Sequence, residues 1–199
     1  GQTISDYLSG EALTANADGQ ILTGTAQNDT MHQNSHTELT FKGGAGDDNF
    51  YIDNAQIGGV AQFNQINGGG GNNDRIILDG TQGSIDLSAI GRNEITRIEA
   101  IDIGGGNDLI LSVKQIFDML KSSDNGALKI TALDLGSTLT IESGGNHTDD
   151  ANGLGNALEN LSPVAGIAPT PDGGYDRYDI GNYQLFVDQD LTIVTDQVI

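Results

Sequence analysis

Residues 43–51 read Gly43-Gly44-Ala45-Gly46-Asp47-Asp48-Asn49-Phe50-Tyr51, a glycine turn, an aspartate pair and an apolar exit within one short segment. That order is the nonapeptide pattern of turn–strand units that stack in parallel and bind Ca²⁺. The glycines permit a tight, positive-φ turn whose carbonyls face an ion, the aspartate supplies charge, and the apolar residue turns into a core. A chain built on this unit folds as short strands joined by Asp/Gly turns. Gly44, Gly46, Asp47 and Asp48 are its candidate calcium ligands.

Looser copies surround the full one. Gly24-Thr25-Ala26-Gln27-Asn28-Asp29-Thr30-Met31 keeps Asp29 and an apolar residue in register, but Thr25 and Gln27 replace two glycines, as where a repeat run begins. Gly69-Gly70-Gly71-Asn72-Asn73-Asp74-Arg75-Ile76 and Gly104-Gly105-Gly106-Asn107-Asp108-Leu109-Ile110 repeat the glycine turn, the Asn/Asp pair and the apolar exit. They make Asp74 and Asp108, with Asp102 in the strand just before Gly104, further candidate ligands. Neither copy is complete, so an ordinary Asn/Gly β-turn stands beside the calcium reading at both places. In stacked repeats the ions sit between successive turns, and an isolated copy cannot hold one alone.

The acid balance points the same way. Eight Lys plus Arg against 28 Asp plus Glu leave a net charge of -20, and the acids divide into 22 Asp and 6 Glu. Glu is the acid of helix surfaces, whereas Asp suits turns and short oxygen cages. Such a charge repels nucleic acid and anionic membrane, so neither is an expected partner. It also opposes compaction in the absence of divalent cations, and several Ca²⁺ are the expected cofactor. With no cysteine, disulfides and thiolate metal sites are absent. No apolar stretch approaches the roughly 18 residues of a membrane span and no basic-then-apolar leader opens the chain, so membrane insertion is not expected. The chain reads as an excised soluble module, residues 1–199 forming one domain with any export signal outside it.

Period-two alternation recurs at 39–41, 50–52, 76–78, 85–87, 98–103 and 139–141, and predicts short strands. Residues 183–187 and 191–194, separated by Asp188-Gln189-Asp190, suit a closing hairpin. One helix is expected over Val113 to Ser122, capped by Ser112, with Ile116, Phe117 and Leu120 as core cover. The fold class is therefore all-β with one short α-helix. Residues 144–173 differ from the rest, polar and glycine-rich and then holding all three prolines, and a loop this long is more often functional than incidental. Asp149, Asp150 and Asn152, with the later Asp172 and Asp176, offer clustered hard oxygens there.

The order of these elements resembles modules near the C-terminal end of giant RTX adhesins, which Gram-negative bacteria export by type I secretion. The resemblance covers most of the chain. It rests on the repeat at 43–51 and its forerunner at 24–31, on Asp74-Arg75-Ile76-Ile77-Leu78-Asp79-Gly80 leading to Ser84-Ile85-Asp86-Leu87-Ser88, on Ile95-Thr96-Arg97-Ile98-Glu99-Ala100-Ile101-Asp102-Ile103, and on the glycine turn and helix that follow. The insertion at 144–173 is similar to the ligand-binding, peptide-binding version of such modules. The resemblance implies a calcium-bound β-sandwich with a β-roll-like RTX segment over 22–53. It also implies a cell-surface, extracellular, biofilm-type adhesin in which the module is a monomer within a longer multidomain chain. The implied partner is the C-terminus of a peptide or protein on another cell's surface. A Ca²⁺ held at Asp149 or Asp150 can accept the ligand carboxylate, the backbone of Gly104 and Gly105 can donate to it, and Asn107, Asn152, Tyr175 and Asp176 complete the expected ligand site.

Two other readings stay open: a calcium-stiffened spacer, and a calcium-dependent lectin whose Tyr175, Tyr178 or Tyr183 stacks on a sugar ring. An enzyme is not expected. His32, His36 and His147 are the only imidazoles, none lies in a nucleophile or metalloprotease motif, and the i, i+4 pair His32/His36 reads as exposed loop.

Overall fold

Short apolar–polar alternations cannot bury a face alone, and here most strands bury it by lying parallel to the strand one circuit earlier. The computed structural model describes residues 10–53, 63–80, 83–88, 94–104, 106–142, 170–172, 174–180 and 182–196. Numbered in chain order, its strands form three sheets. The first runs β1 (Ala12–Thr14), β3 (Thr30–His32), β5 (Asn49–Ile52), β7 (Arg75–Leu78), β10 (Ala100–Ile103), β12 (Ala127–Ala132), β16 (Tyr183–Asp188), β15 (Tyr175–Ile180) and β14 (Thr170–Asp172). The second runs β2 (Ile21–Thr23), β4 (Leu39–Ala45), β6 (Phe63–Gly70) and β9 (Ile95–Thr96). The third runs β17 (Thr192–Asp196), β13 (Thr138–Glu142), β11 (Asp108–Ser112) and β8 (Ser84–Asp86).

The path alternates between sheets. From β1 to β7 the chain passes between the first and second sheets, and from β7 onward it also visits the third. Among the described residues every pairing is parallel except β14–β15 and β15–β16. The sheets face one another across a continuous apolar core, where Phe41 of β4 meets Phe50 of β5 at 6.0 Å and Phe63 of β6 at 6.1 Å between ring centroids. Residues in equivalent positions of successive circuits therefore stack into columns.

The expected closing hairpin is not formed. Leu185 of β16 pairs with Leu128 of β12 in the first sheet, while Ile193 of β17 pairs with Leu139 of β13 in the third. Each strand finds a parallel partner one circuit back, and the turn at 188–191 carries the chain around a corner. The hairpin that does occur joins β15 to β16, with Ile180 opposite Tyr183.

The helix falls where its cap predicts. Helix α1 (Val113–Ser122) follows Ser112, whose hydroxyl accepts from the Gln115 amide, and the Gln115 side chain returns to the Ser112 backbone to complete a capping box. Val113, Ile116, Met119 and Leu120 are buried, and Phe117 meets Tyr183 edge-on at 6.1 Å. The apolar stripe is core cover. No helix among the described residues is long and apolar enough to cross a membrane.

Candidate functional site: a buried column of carboxylates

Winding in parallel puts one residue of each circuit immediately before its first-sheet strand. In five successive circuits that residue is an acid: Glu11, Asp29, Asp48, Asp74 and Glu99. They are 18, 19, 26 and 25 residues apart in sequence and adjacent in space. From Asp29 onward each carboxylate accepts the backbone N–H of the acid one circuit earlier, and Glu11, itself exposed, contributes only its N–H. Glu11 donates to Asp29, Asp29 to Asp48 at 2.7 Å, Asp48 to Asp74 at 2.7 Å, and Asp74 to the Glu99 carboxylate at 2.9 Å. The rungs follow the spacing of parallel strands, about 4.8 Å.

Glycine makes the column possible. A Cβ on Gly43 would lie 2.0 Å from Gly68 O and 2.2 Å from Asp48 Oδ2, and one on Gly68 would lie 1.9 Å from Arg97 O and 2.5 Å from Asp74 Oδ2. Gly24 repeats the arrangement, facing Gly43 O at 2.0 Å and Asp29 Oδ2 at 2.5 Å. The neighbouring Gly44 has φ +112°, and a Cβ there would strike Thr25 O at 2.0 Å. A carboxylate oxygen and a carbonyl oxygen thus converge beside each glycine.

The ends of the column differ from its middle. At its start Thr25 satisfies Asp29: its backbone N–H donates to Oδ2 at 2.6 Å and its hydroxyl approaches both carboxylate oxygens at 3.1 Å. The threonine that makes the first repeat imperfect thereby serves its carboxylate. At the other end Arg97 takes the place of a glycine, in a left-handed conformation (φ 54°), and donates to Gly69 O at 2.7 Å. Between these ends Asp48 Oδ2, Asp74 Oδ2 and Glu99 Oε1 are buried without a hydrogen-bond partner.

Those three carboxyls are held well above the ordinary acid range. Burial is the main cause for each: Asp48 is pushed up to about 7, with the charges of Asp74 and Asp29 adding to the effect, Asp74 to about 6, and Glu99 to about 7. Backbone N–H groups pull in the opposite direction without offsetting the desolvation. Hard, partnerless, desolvated oxygens are the donor chemistry of Ca²⁺. No three His, Cys, Asp or Glu side chains among the described residues gather around one point, so an ion at Asp48, Asp74 and Glu99 would draw on backbone carbonyls as well. These are hard oxygens of the kind calcium takes, and a cation there would add to the positive charge that Arg97 brings to Asp74.

The other expected ligands are placed as follows. Asp47 lies outside the column, where its Oδ1 accepts from Asn72 N at 3.0 Å and Asn73 N at 3.2 Å. Gly46 N donates to Gly70 O at 2.6 Å, and its positive φ of 103° shapes the same turn. Asp102 lies on β10, away from the column, and pairs with Arg75. Asp108 heads β11 in the third sheet and accepts from Thr138 N at 3.0 Å. The structure thus brings Asp29, Asp48 and Asp74 together and leaves Asp102 and Asp108 apart. It adds Glu11 and Glu99, which sequence reading missed. Glu99 looked like one position of the alternating run 98–103, and the signal that finds it is its 25-residue interval from Asp74.

Of the expected ligand site, Gly105, Asp149, Asp150, Asn152 and most of the 144–173 insertion lie outside the described residues. Asn107 is fully buried, and its amide donates to Gly80 O at 3.0 Å, to Leu78 O at 3.4 Å and to Gly104 O. Its side chain closes the glycine turn from within. Asn107→Ala is expected to cost roughly 2–3 kcal/mol by stranding buried carbonyls, a loss that thermal melting would show.

Gly104, Tyr175 and Asp176 share the far end of the first sheet. Ile103 pairs with Ala132, whose N–H donates to Asp188 Oδ2 at 3.3 Å, and Asp188 pairs with Tyr175. The Tyr175 hydroxyl lies 3.2 Å from Thr131 Oγ1, and the Lys129 ammonium sits 4.1 Å from the Tyr175 ring centroid. Asp176 accepts from the Gln189 amide at 2.8 Å. His32 lies on β3 and not in a loop, stacked on Tyr51 at 4.5 Å, while His36 is 3.3 Å from Asp18. Comparison with protein-family models, with curated proteins and with solved structures gives no match.

Proposed function

We propose that this chain is a calcium-dependent adhesin module of an exported bacterial surface protein, and that it binds the C-terminus of a peptide or protein on another cell. The observation that carries the calcium half is the run of buried, partnerless carboxylate oxygens at Asp48, Asp74 and Glu99. Burying like charges in a column is costly unless protons or cations compensate them. Calcium ordering the circuits would make the module rigid only where the ion is abundant, as it is outside the cell.

The ligand half has its support at the end of the first sheet. The Lys129 ammonium lies over the Tyr175 ring, a cation and an aromatic face in a chain whose net charge of -20 otherwise repels a carboxylate. Isothermal titration of a C-terminal peptide pool tests this. Heat is expected with Ca²⁺ present, and it should vanish in chelator and on amidation of the peptide's C-terminus. Undiminished binding of the amidated pool would remove the carboxylate contact. A calcium-stiffened spacer is the second reading, favoured by the burial of Asp29, Asp48, Asp74 and Glu99 inside the coil. Silence toward every peptide, with a calcium-raised melting temperature, would select it.

A further inference from the structure

A separate cavity of about 320 Å³ opens where the strands β1, β3, β5 and β7 end, away from the carboxylate column. It is lined by Thr14, His32, Gln33, Asn34, Tyr51, Asp53 and Asp79. Thr14, His32 and Tyr51 are in register across three parallel strands, and the His32 and Tyr51 rings are stacked at an interplanar angle of 14°. The rim is built by strained backbone. Asn34 and Ser35 both take left-handed conformations, at φ 52° and 61°, a state that non-glycine residues adopt only when the surroundings impose it. Cross-circuit bonds impose it here: Asn34 Nδ2 donates to Ala15 O at 3.0 Å and Ser35 N to Asp53 Oδ2 at 2.7 Å. Gln33, only 1% exposed, donates to His36 O at 3.0 Å, and its Oε1 is buried without a partner.

The lining decides the ligand chemistry. Among the described residues it contains no Lys or Arg, so an anion finds no counter-charge there. Nor do the described residues add a Leu, Ile or Val side chain, so an apolar ligand gains little from them. What it offers is carboxylates, carboxamides, a hydroxyl, an imidazole and a phenol, a mixture of donors and acceptors suited to an array of hydroxyl groups. Its volume lies at the small end of ligand pockets, room for roughly one or two sugar rings.

We infer that this cavity binds a neutral saccharide, held by hydrogen bonds to Asp79, Tyr51 and His32, without a metal ion in the contact. The site is independent of the peptide reading and of the calcium-dependent lectin considered from sequence, which would use other tyrosines.

The test is a two-dimensional ¹H–¹⁵N NMR titration of the whole chain in saturating Ca²⁺. The probes are glucose, galactose, mannose and N-acetylglucosamine, with ethylenediamine as a cationic comparator. At least one sugar should give saturable shifts at the amides of His32, Gln33, Asn34, Tyr51 and Asp53. Asp79→Ala, at an exposed position, and Tyr51→Phe should each weaken that sugar about tenfold, the worth of one hydrogen bond to ligand, with spectra that remain dispersed. Shifts from ethylenediamine alone would make the cavity an amine site and overturn the inference. So would no saturable shift from any sugar, or sugar shifts that Asp79→Ala leaves unchanged.

Discussion

Gly43→Ala is expected to abolish cooperative folding or to lower the melting temperature by roughly 10 °C or more. The added methyl would lie 2.0 Å from Gly68 O and 2.2 Å from Asp48 Oδ2, and neither atom can withdraw. The carbonyl belongs to the next circuit, and the carboxylate is fixed by the Asp29 N–H at 2.7 Å. Relief requires two circuits to separate, which breaks the parallel ladder of β4 with β6. A backbone clash of this kind belongs to the uncommon substitutions costing more than about 4 kcal/mol, and in a chain of this size each kcal/mol is worth about 2–4 °C. Gly136→Ala is the matched control. That glycine has φ +95° but nothing within 4 Å of its Cβ position, so only backbone strain is added, about 1–3 kcal/mol. Equal losses in the two variants, measured by calorimetry, would mean that the column does not need its close approach.

The second large effect couples pH to calcium. In chelator, stability should rise as the pH falls from about 8 to about 5, the reverse of ordinary acid destabilisation. Asp48, Asp74 and Glu99 have folded values of about 7, about 6 and about 7, against ordinary values of 3.8, 3.8 and 4.5. Raised acids bind more protons in the folded state than in the unfolded state throughout that window. Their stabilising protonation is fully present below the unfolded values and is lost as the pH climbs through the folded ones. The combined effect should reach roughly 2 kcal/mol across the window, allowing for partial solvation at the column's ends. Calcium at about a hundred times its dissociation constant should add about 2.7 kcal/mol per site at neutral pH, or 5–10 °C, and flatten the slope.

Asp48→Asn separates the two contributions. The amide oxygen can still accept from Asp29 N, so the circuit is kept, while a charge and a metal donor are lost. Its melting temperature in chelator should vary less with pH, and calcium should raise it less. Stability that climbs from pH 5 to 8 in chelator would show that the column is not a store of destabilising charge. A wild-type melting temperature indifferent to calcium would sink the metal reading of Asp48 and Asp74.

The helix shows how far local chemistry reaches. Ser112 and Gln115 form a capping box wherever the chain places them, because each satisfies a backbone group within one turn. Apolar alternation at 39–41, 50–52, 76–78 and 139–141 likewise marked β4, β5, β7 and β13. Polar or very short strands were not legible. β6 ends in three glycines, and β1 to β3 have three residues each, too few for a period-two pattern to show. These strands exist because a neighbouring circuit pairs with them.

From the sequence alone follow the β-rich class, the capped helix, the Asp/Gly turns and a charge that calls for cations, all properties of residues near one another along the chain. Tertiary structure decided the remainder. Residues 18 to 26 positions apart become neighbours only when strands stack in parallel, and stacking aligned Glu11 and Glu99 with the three aspartates. It also turned Asn107 inward and gave strands 183–188 and 192–196 to different sheets. A hairpin needs only its own turn, whereas a parallel partner lies a whole circuit away, and the distance between circuits is written in no local pattern.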